Sequence, residues 1–298
     1  MINGVLNIYK EPGYTSGDVV AKLRGMYRQR KVGHTGTLDP AAEGVLPVCL
    51  GSATKLVGMM TDETKTYRAV LLLGVETDTQ DTTGTVRASC PPEKLAALTE
   101  EQVREAVLSF SGELLQVPPM YSALKFHGQK LVDLARQGIE VERKARPVTV
   151  HHIEIGRIEL PRVWFTVTCS RGTYIRTICH DIGRKLGTGG AMEHLVRTRV
   201  GRFTAEQALK LSDIQRMTAE GTQDRAVISV EEIFGDLPGF TSRDAELDKF
   251  LNNGNPFGTA YYPAGEGMLR VYNSAGDFIG VYRYSAERGM WMAVHIFR

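Results

Sequence analysis

Between Val32 and Val48 the chain reads VGHTGTLDPAAEGVLPV, and in its GTLDPAA core Asp39 is the sole carboxylate. An aspartate with an ordinary pKa of about 3.9 is ionised at neutral pH, so this loop of Gly, Thr, Leu, Pro and Ala carries one fixed negative charge. An Asp-Pro pair is by itself a turn signal, because Asp bonds its own backbone and Pro fixes the next φ. Chemistry asks for more: neutral surroundings and a cation from elsewhere that holds and orients the carboxylate. Immediately upstream, RGMYRQRK brings four positive charges, Arg24, Arg28, Arg30 and Lys31, and no negative one.

Other chemistries fit less well. His34 could bind a metal, and His180-Asp181 suggests a metal-dependent phosphohydrolase, whose activity a chelator would remove. Yet no second histidine lies one helical turn from His180, and His151-His152 fall in a strand where neighbours face opposite sides. HTGTLDP and GSATK lack the G-K-[ST] ending of a phosphate-binding loop. Cys49, Cys90, Cys169 and Cys179 lie far apart with no C-x-x-C pair, which argues against a zinc knuckle or a disulfide framework and fits a reducing cytoplasm. No apolar run is long enough to span a bilayer, and the N-terminus develops no signal peptide, so a soluble, unexported protein is expected.

The formal net charge is only +2. A polyanionic partner must therefore be held by local clusters. Besides the first basic run there are ERKAR (142–146), with Arg143, Lys144 and Arg146, and RTRVGR (197–202), with Arg197, Arg199 and Arg202.

The elements that must position these groups alternate irregularly. Val19, Val20, Leu23 and Tyr27 recur at helical spacing after Thr15, with Asp18 completing a capping box. YRAVLLL (67–73) reads as a strand ending at Gly74, and VETDTQDTTG after it as a loop. Thr99 caps a helix carrying Val103, Ala106, Val107 and Phe110. VTVHHIEI (148–155) and VWFTVTC (163–169) read as strands. The next helix buries Ile175, Ile178, Ile182 and Leu186, with Thr173 as its cap and Gly187 at its end, so Tyr174 and Arg176 fall at a strand-to-helix junction. DLPGFTS (236–242) reads as a linker. The tail after it reads as a small all-β module, with a hairpin across Ala275-Gly276-Asp277 and a closing strand WMAVHIFR. The expected fold is α+β: a mixed, largely antiparallel sheet flanked by helices over 1–236, and a small β-rich module over 240–298.

GHTGTLDPAAEGVLP, KTYRAVLLLG, PPMYSALK and RGTYIRTICHDIG, in that order, with KEPGYTS near the start and LVRTRVGRF at 195–203, resemble the signature blocks of the bacterial tRNA pseudouridine-55 synthases of the TruB type. The resemblance covers residues 1 to about 235. It implies a pseudouridine synthase fold and an enzyme that isomerises one uridine in the T-loop of tRNA, without metal or organic cofactor. Asp39 would be the catalytic aspartate, Tyr67 would stack on the target base, and Arg176 would pair with Asp39 and keep it ionised. His34, Tyr174, Leu195 and Lys10 would line the pocket or hold flipped-out nucleotides, and the basic runs would hold RNA phosphates.

Residues 125–150 resemble the family's RNA-gripping insertion, though Val132 replaces a common aromatic, and Val196 stands where many relatives carry Arg. The tail is loosely similar to a PUA module. The expected partner is the T-arm of tRNA, with no membrane, no obligatory protein partner and a monomeric state. Whether Asp39 would attack C1′, attack the ring or abstract a C2′ proton is open. A non-catalytic tRNA-binding scaffold or folding chaperone is the rival reading.

Overall fold

Near-continuous apolar runs make strands buried on both faces, and GVLNIYK and EGVLPVCL are two of these. In the computed structural model, which describes residues 1 to 297, β1 (Gly4–Lys10) leads into α1 (Ser16–Met26), the short β2 (Val32–His34) and β3 (Glu43–Leu50). The capping box is present: the Thr15 hydroxyl accepts from the Asp18 N–H, and the Asp18 carboxylate accepts from the Thr15 N–H. The stripe Val19, Val20, Leu23 and Tyr27 is buried.

After α2 (Val57–Thr61) come β4 (Lys65–Leu73), β5 (Val75–Thr77) and β6 (Val86–Ser89). VETDTQDTTG is thus not all loop. Its first residues pair with β6, and the turn is closed by Asp78 and Asp81, whose carboxylates accept the N–H groups of Thr85 and Thr83. α3 (Pro92–Ala96) and α4 (Glu100–Leu108) follow, the second opening on the expected Thr99 cap.

β7 (Gly112–Gln116) is an edge strand. β8 (Lys125–Phe126), β9 (Gln129–Lys130) and α5 (Leu131–Arg136) form an outlying unit around Met120, Leu131 and Leu134. β10 (Arg146–Glu159) and β11 (Arg162–Cys169) then form a long hairpin before α6 (Ile175–Lys185). Thr173 does not cap α6. The N-cap is Tyr174, whose N–H and C=O are both bonded by the Gln116 amide, while the Thr173 hydroxyl donates to the Ser170 carbonyl. β12 (Gly190–Val200), β13 (Phe203–Thr204), α7 (Leu211–Ala219) and α8 (Val230–Ile233) complete this part.

Among the described residues the main sheet has nine strands, with the order β1-β3-β12-β4-β11-β10-β7, β2 on β3 and β13 on β12. All neighbours are antiparallel except β12 and β3. At that junction Gly44 lies opposite Arg197 with φ of 107°, and a Cβ on it would fall 2.2 Å from the Arg197 carbonyl oxygen. Only glycine lets the two strands come this close.

The tail contains β14 (Gly239–Thr241), α9 (Ala245–Asn252), β15 (Phe257–Gly258), β16 (Met268–Tyr272), β17 (Phe278–Ser285) and β18 (Met290–Ile296). These five strands form a second sheet, and β16 and β17 make the expected hairpin. It is not all-β: Asp244 caps α9, which buries Leu247 and Leu251 beneath the sheet. DLPGFTS is not a loose linker, since β14 lies within it and pairs with β16. Val281 and Phe297 of the tail pack in one cluster with Phe234, Val200 and Phe203. Among the described residues no helix is long and apolar enough to cross a membrane.

Candidate active site

Asp39 sits in the loop between β2 and β3, and Arg176 in the first turn of α6. The Arg176 Nε lies 2.8 Å from Asp39 Oδ2, and its Nη2 donates to Oδ1 at 3.3 Å. Arg176 also donates to the carbonyls of Thr79 and Tyr121, at 2.9 and 2.8 Å. A second carboxylate, Asp81, lies 3.9 Å from its Nη1. The Arg176 side chain is 5% exposed whereas that of Asp39 is 36% exposed, so the cation is a fixed support and the carboxylate is the reachable partner.

The pair borders a cavity of about 300 Å³ lined by Asp39, Tyr67, Tyr174, Arg176 and Leu195 among others. Burial pushes the Asp39 carboxyl above its usual range; Arg176 opposes the rise, Asp81 adds to it and Lys10 opposes it. Arg176 therefore restrains the shift without cancelling it.

Tyr67 and Leu195 face the cavity from adjacent strands: Leu195 pairs with Ala69 across β12 and β4, and Arg197 with Tyr67. Tyr67 is buried, and its hydroxyl is pushed up to about 12, chiefly by burial. His34, at the end of β2, is half-buried; its Nδ1 accepts the Gly36 N–H, and burial with the nearby Arg197 charge lowers its pKa, which favours the neutral ring.

Two expected roles change. Lys10 is completely buried and does not line the cavity; its ammonium donates to the carbonyls of Glu11, Tyr14 and Pro40, tying the Asp39 loop to the end of β1. Arg197 is not an RNA-backbone contact. It is 1% exposed, donates to the carbonyls of Val45 and Gly36, and sets its charge beside Tyr67. Arg197 and Arg199 would share a face in a regular strand, but a register shift between them turns one inward and the other to solvent.

Arg28, Arg30, Lys31, Lys144 and Arg146 are exposed. Arg24, Arg199 and Arg202 are also exposed, but each donates to nearby carbonyls, and Arg143 pairs with Glu140. Among the described residues no three of His, Cys, Asp and Glu converge as a metal-binding group, and His180-Asp181 stand apart from the cavity lining.

Sequence reasoning missed Asp81, Lys65 and Gln116. Lys65 stands two residues before Tyr67 on the same strand and lines the same cavity, so the two-residue strand period could have found it. Asp81, in a polar turn, and Gln116, in an edge strand, carry no such signal.

Two family models match in succession. The N-terminal domain of TruB family pseudouridylate synthases matches residues 24–175, and the C-terminal domain of tRNA pseudouridylate synthase B matches residues 176–238. The matched class is thus that of the pseudouridylate synthases. The tRNA pseudouridine synthase B of Lachnoclostridium phytofermentans is 44% identical over 311 residues, spanning 99% of this chain and all of that protein. That of Bacillus licheniformis is 42% identical over 290 residues, 95% of this chain and 93% of that one. The chain belongs to the TruB family. Its fold is also similar to that of a chain in an H/ACA RNP bound to a substrate RNA containing 2′-deoxyuridine, with a TM-score of 0.72 at 24% identity over 99% of this chain and 85% of that one. A Cbf5-Nop10-Gar1 complex gives a TM-score of 0.70 at 26% identity, over 99% and 84%.

Proposed function

We propose that this chain isomerises a uridine of tRNA to pseudouridine, with Asp39 as the group that acts on the nucleotide. The enzyme is an isomerase: the C1′–N1 bond breaks, the base turns within the cavity, and C1′ is rejoined to C5. The observation that carries this reading is the carboxylate of Asp39, oriented at two points by Arg176 on the border of a cavity lined by Tyr67 and Leu195.

The physical demands match. A base stacked in a T-loop cannot be turned about its sugar in place, so it must be drawn out and given new stacking surfaces. Tyr67 offers an aromatic face inside the cavity, and Tyr174 lines the same space. Positive charge developing at C1′, or a proton leaving C2′, calls for a preorganised negative group, which Asp39 supplies. The exposure of Arg28, Arg30, Lys31, Lys144 and Arg146 supports their role in meeting phosphates. An isomerisation moves no net electrons, so no redox cofactor is called for. We assign the T-loop uridine at position 55 as the target, tRNA as the sole partner of a monomer, and the cytoplasm as the compartment.

The test is a nucleotide-resolution pseudouridine map of one tRNA exposed to the wild type and to Asp39→Asn. The expected result is modification of the T-loop uridine by the wild type alone, with tRNA affinity preserved in the variant. Equal RNA-folding activity in both proteins, with no modified base from either, would establish a scaffold instead.

A further inference from the structure

Lys65 and Arg197 form part of one wall of the cavity that Asp39 borders. They are 6% and 1% exposed. Neither is paired with a carboxylate among the described residues: the Lys65 ammonium donates to the carbonyls of Thr61 and Glu63, at 2.7 and 2.5 Å, and Arg197 to those of Val45 and Gly36, at 2.7 and 3.1 Å. Two buried cations side by side, with only neutral oxygens as acceptors, are costly to keep. Burial first, with the Arg197 charge beside it, lowers the Lys65 pKa to about 8. A perturbed group in a cleft is a candidate functional group, and a wall that holds two buried cations with no carboxylate partner among the described residues suits an arriving anion.

We propose that Lys65, backed by Arg197, carries the negative charge of the uracil ring while that ring is detached from the ribose. This rests on the isomerase reading. When C1′–N1 breaks, its electron pair stays on the ring, spread over N1, O2 and O4, while Asp39 meets the deficiency at the sugar. After C5 bonds to C1′, the C5 proton leaves to solvent and N1 takes one up, so the atoms balance and Lys65 transfers none. The apolar company of Tyr67, Leu124, Ile175 and Leu195 in the same lining suits a flat, delocalised anion better than a hydrated phosphate.

The charged and titratable groups facing Lys65 are Arg197 from β12, Cys169 from β11, and Glu63 and Asp62 from the preceding turn; Asp39, Tyr67, Arg171, Tyr174 and Arg176 share the cavity. The Cys169 thiol is pushed up to about 11, outside the window of the test.

The test uses the full-length enzyme and transcribed tRNA, with Lys65→Met and Lys65→Arg. Lys65→Met should lower kcat by about a hundredfold, as loss of a preorganised charge at a reacting group does, with the dissociation constant for tRNA within twofold. In the wild type kcat/KM should fall above about pH 8, because this parameter reports groups of the free enzyme. That fall should vanish when either Lys65 variant is made on a Lys10→Met background, which removes the other ammonium lowered to about 8, and should Lys65→Met not fold, Lys65→Arg carries the pH test. An unchanged kcat, an alkaline fall that persists in the double variants, or a matched loss of affinity and turnover with a shallower salt dependence, the mark of a phosphate contact, would each overturn the proposal. A wild type that makes no pseudouridine would instead overturn the isomerase reading on which it rests.

Discussion

Asp39 and Arg176 meet at two points, Nε to Oδ2 at 2.8 Å and Nη2 to Oδ1 at 3.3 Å, while the guanidinium is separately anchored by the carbonyls of Thr79 and Tyr121. The support therefore does not depend on the group it supports. Arg176→Ala is expected to reduce turnover far more than tRNA binding. A matched fall in both would identify Arg176 as a phosphate contact.

The same geometry fixes a pH dependence. The Asp39 carboxyl is raised by burial first, with Arg176 opposing and Asp81 adding. If the ionised form is active, the acid limb of kcat/KM lies above the ordinary aspartate range, and activity is lost as pH falls through the raised value. Removing a neighbouring negative charge eases ionisation, so Asp81→Asn should move the limb to lower pH. Removing the positive charge hinders it, so Arg176→Met should move the limb to higher pH. Shifts in the same direction would refute the arrangement.

Tyr67 separates ring from hydroxyl. Tyr67→Phe keeps the stacking face but removes the buried hydroxyl beside the Arg197 charge, leaving that cation one polar neighbour fewer. It should lower the melting temperature while sparing tRNA affinity. Tyr67→Ala also forfeits about 1–3 kcal/mol of base stacking. Competition binding with tRNA should therefore rank the wild type and Phe together, ahead of Ala.

Lys10 ties the Asp39 loop to β1, and burial lowers its pKa to about 8 from 10.5. Between these values the unfolded chain holds the proton more tightly than the folded one, so this group's contribution to stability rises with pH across that window and is flat below it. Lys10→Met lacks the rise. The melting temperature of the wild type relative to Lys10→Met should therefore increase from pH 8 to pH 10, and a constant difference would contradict the buried, strained ammonium.

The exposed cations should act through phosphates. Neutralising Arg28, Arg30 or Lys31 is expected to lower the slope of log affinity against log salt by about one for each phosphate deprived of its cation. Arg197→Met, with its charge buried, should leave that slope unchanged. Filter binding of tRNA across a salt series distinguishes the two classes.

Much of this was legible in the sequence where local rules decide. The box at Thr15, the cap at Thr99, the stripe on α1 and the hairpin at Gly276 follow from residues within one or two turns of each other. What could not be read depends on distant pairing. Gln116 takes over the capping of α6 from a strand 58 residues away. Thr173 looks like a cap locally, yet its hydroxyl is spent on Ser170. In RTRVGR charge alone makes Arg197 and Arg199 equivalent, and only the irregular register of β12 against β4 separates a buried cation from a solvated one. α9 was missed because the tail reads as all-β from its strands, and the short apolar spacing of Leu247 and Leu251 spans only one helical turn.

β12 is made from residues 190–200, yet it lies between β3 and β4, which precede it by more than a hundred positions. A nascent chain leaving the ribosome thus holds a gap in its sheet until residue 200 is free, with two long strands lacking their shared neighbour. Filling that gap joins residues far apart in sequence, the kind of contact that slows folding. A product terminated before residue 190 would present both open edges to other copies and favour aggregation. The carboxylate from the start of the chain thus gains its opposite wall only near the end of the main sheet's synthesis, so no shortened fragment lacking that strand assembles the complete pocket.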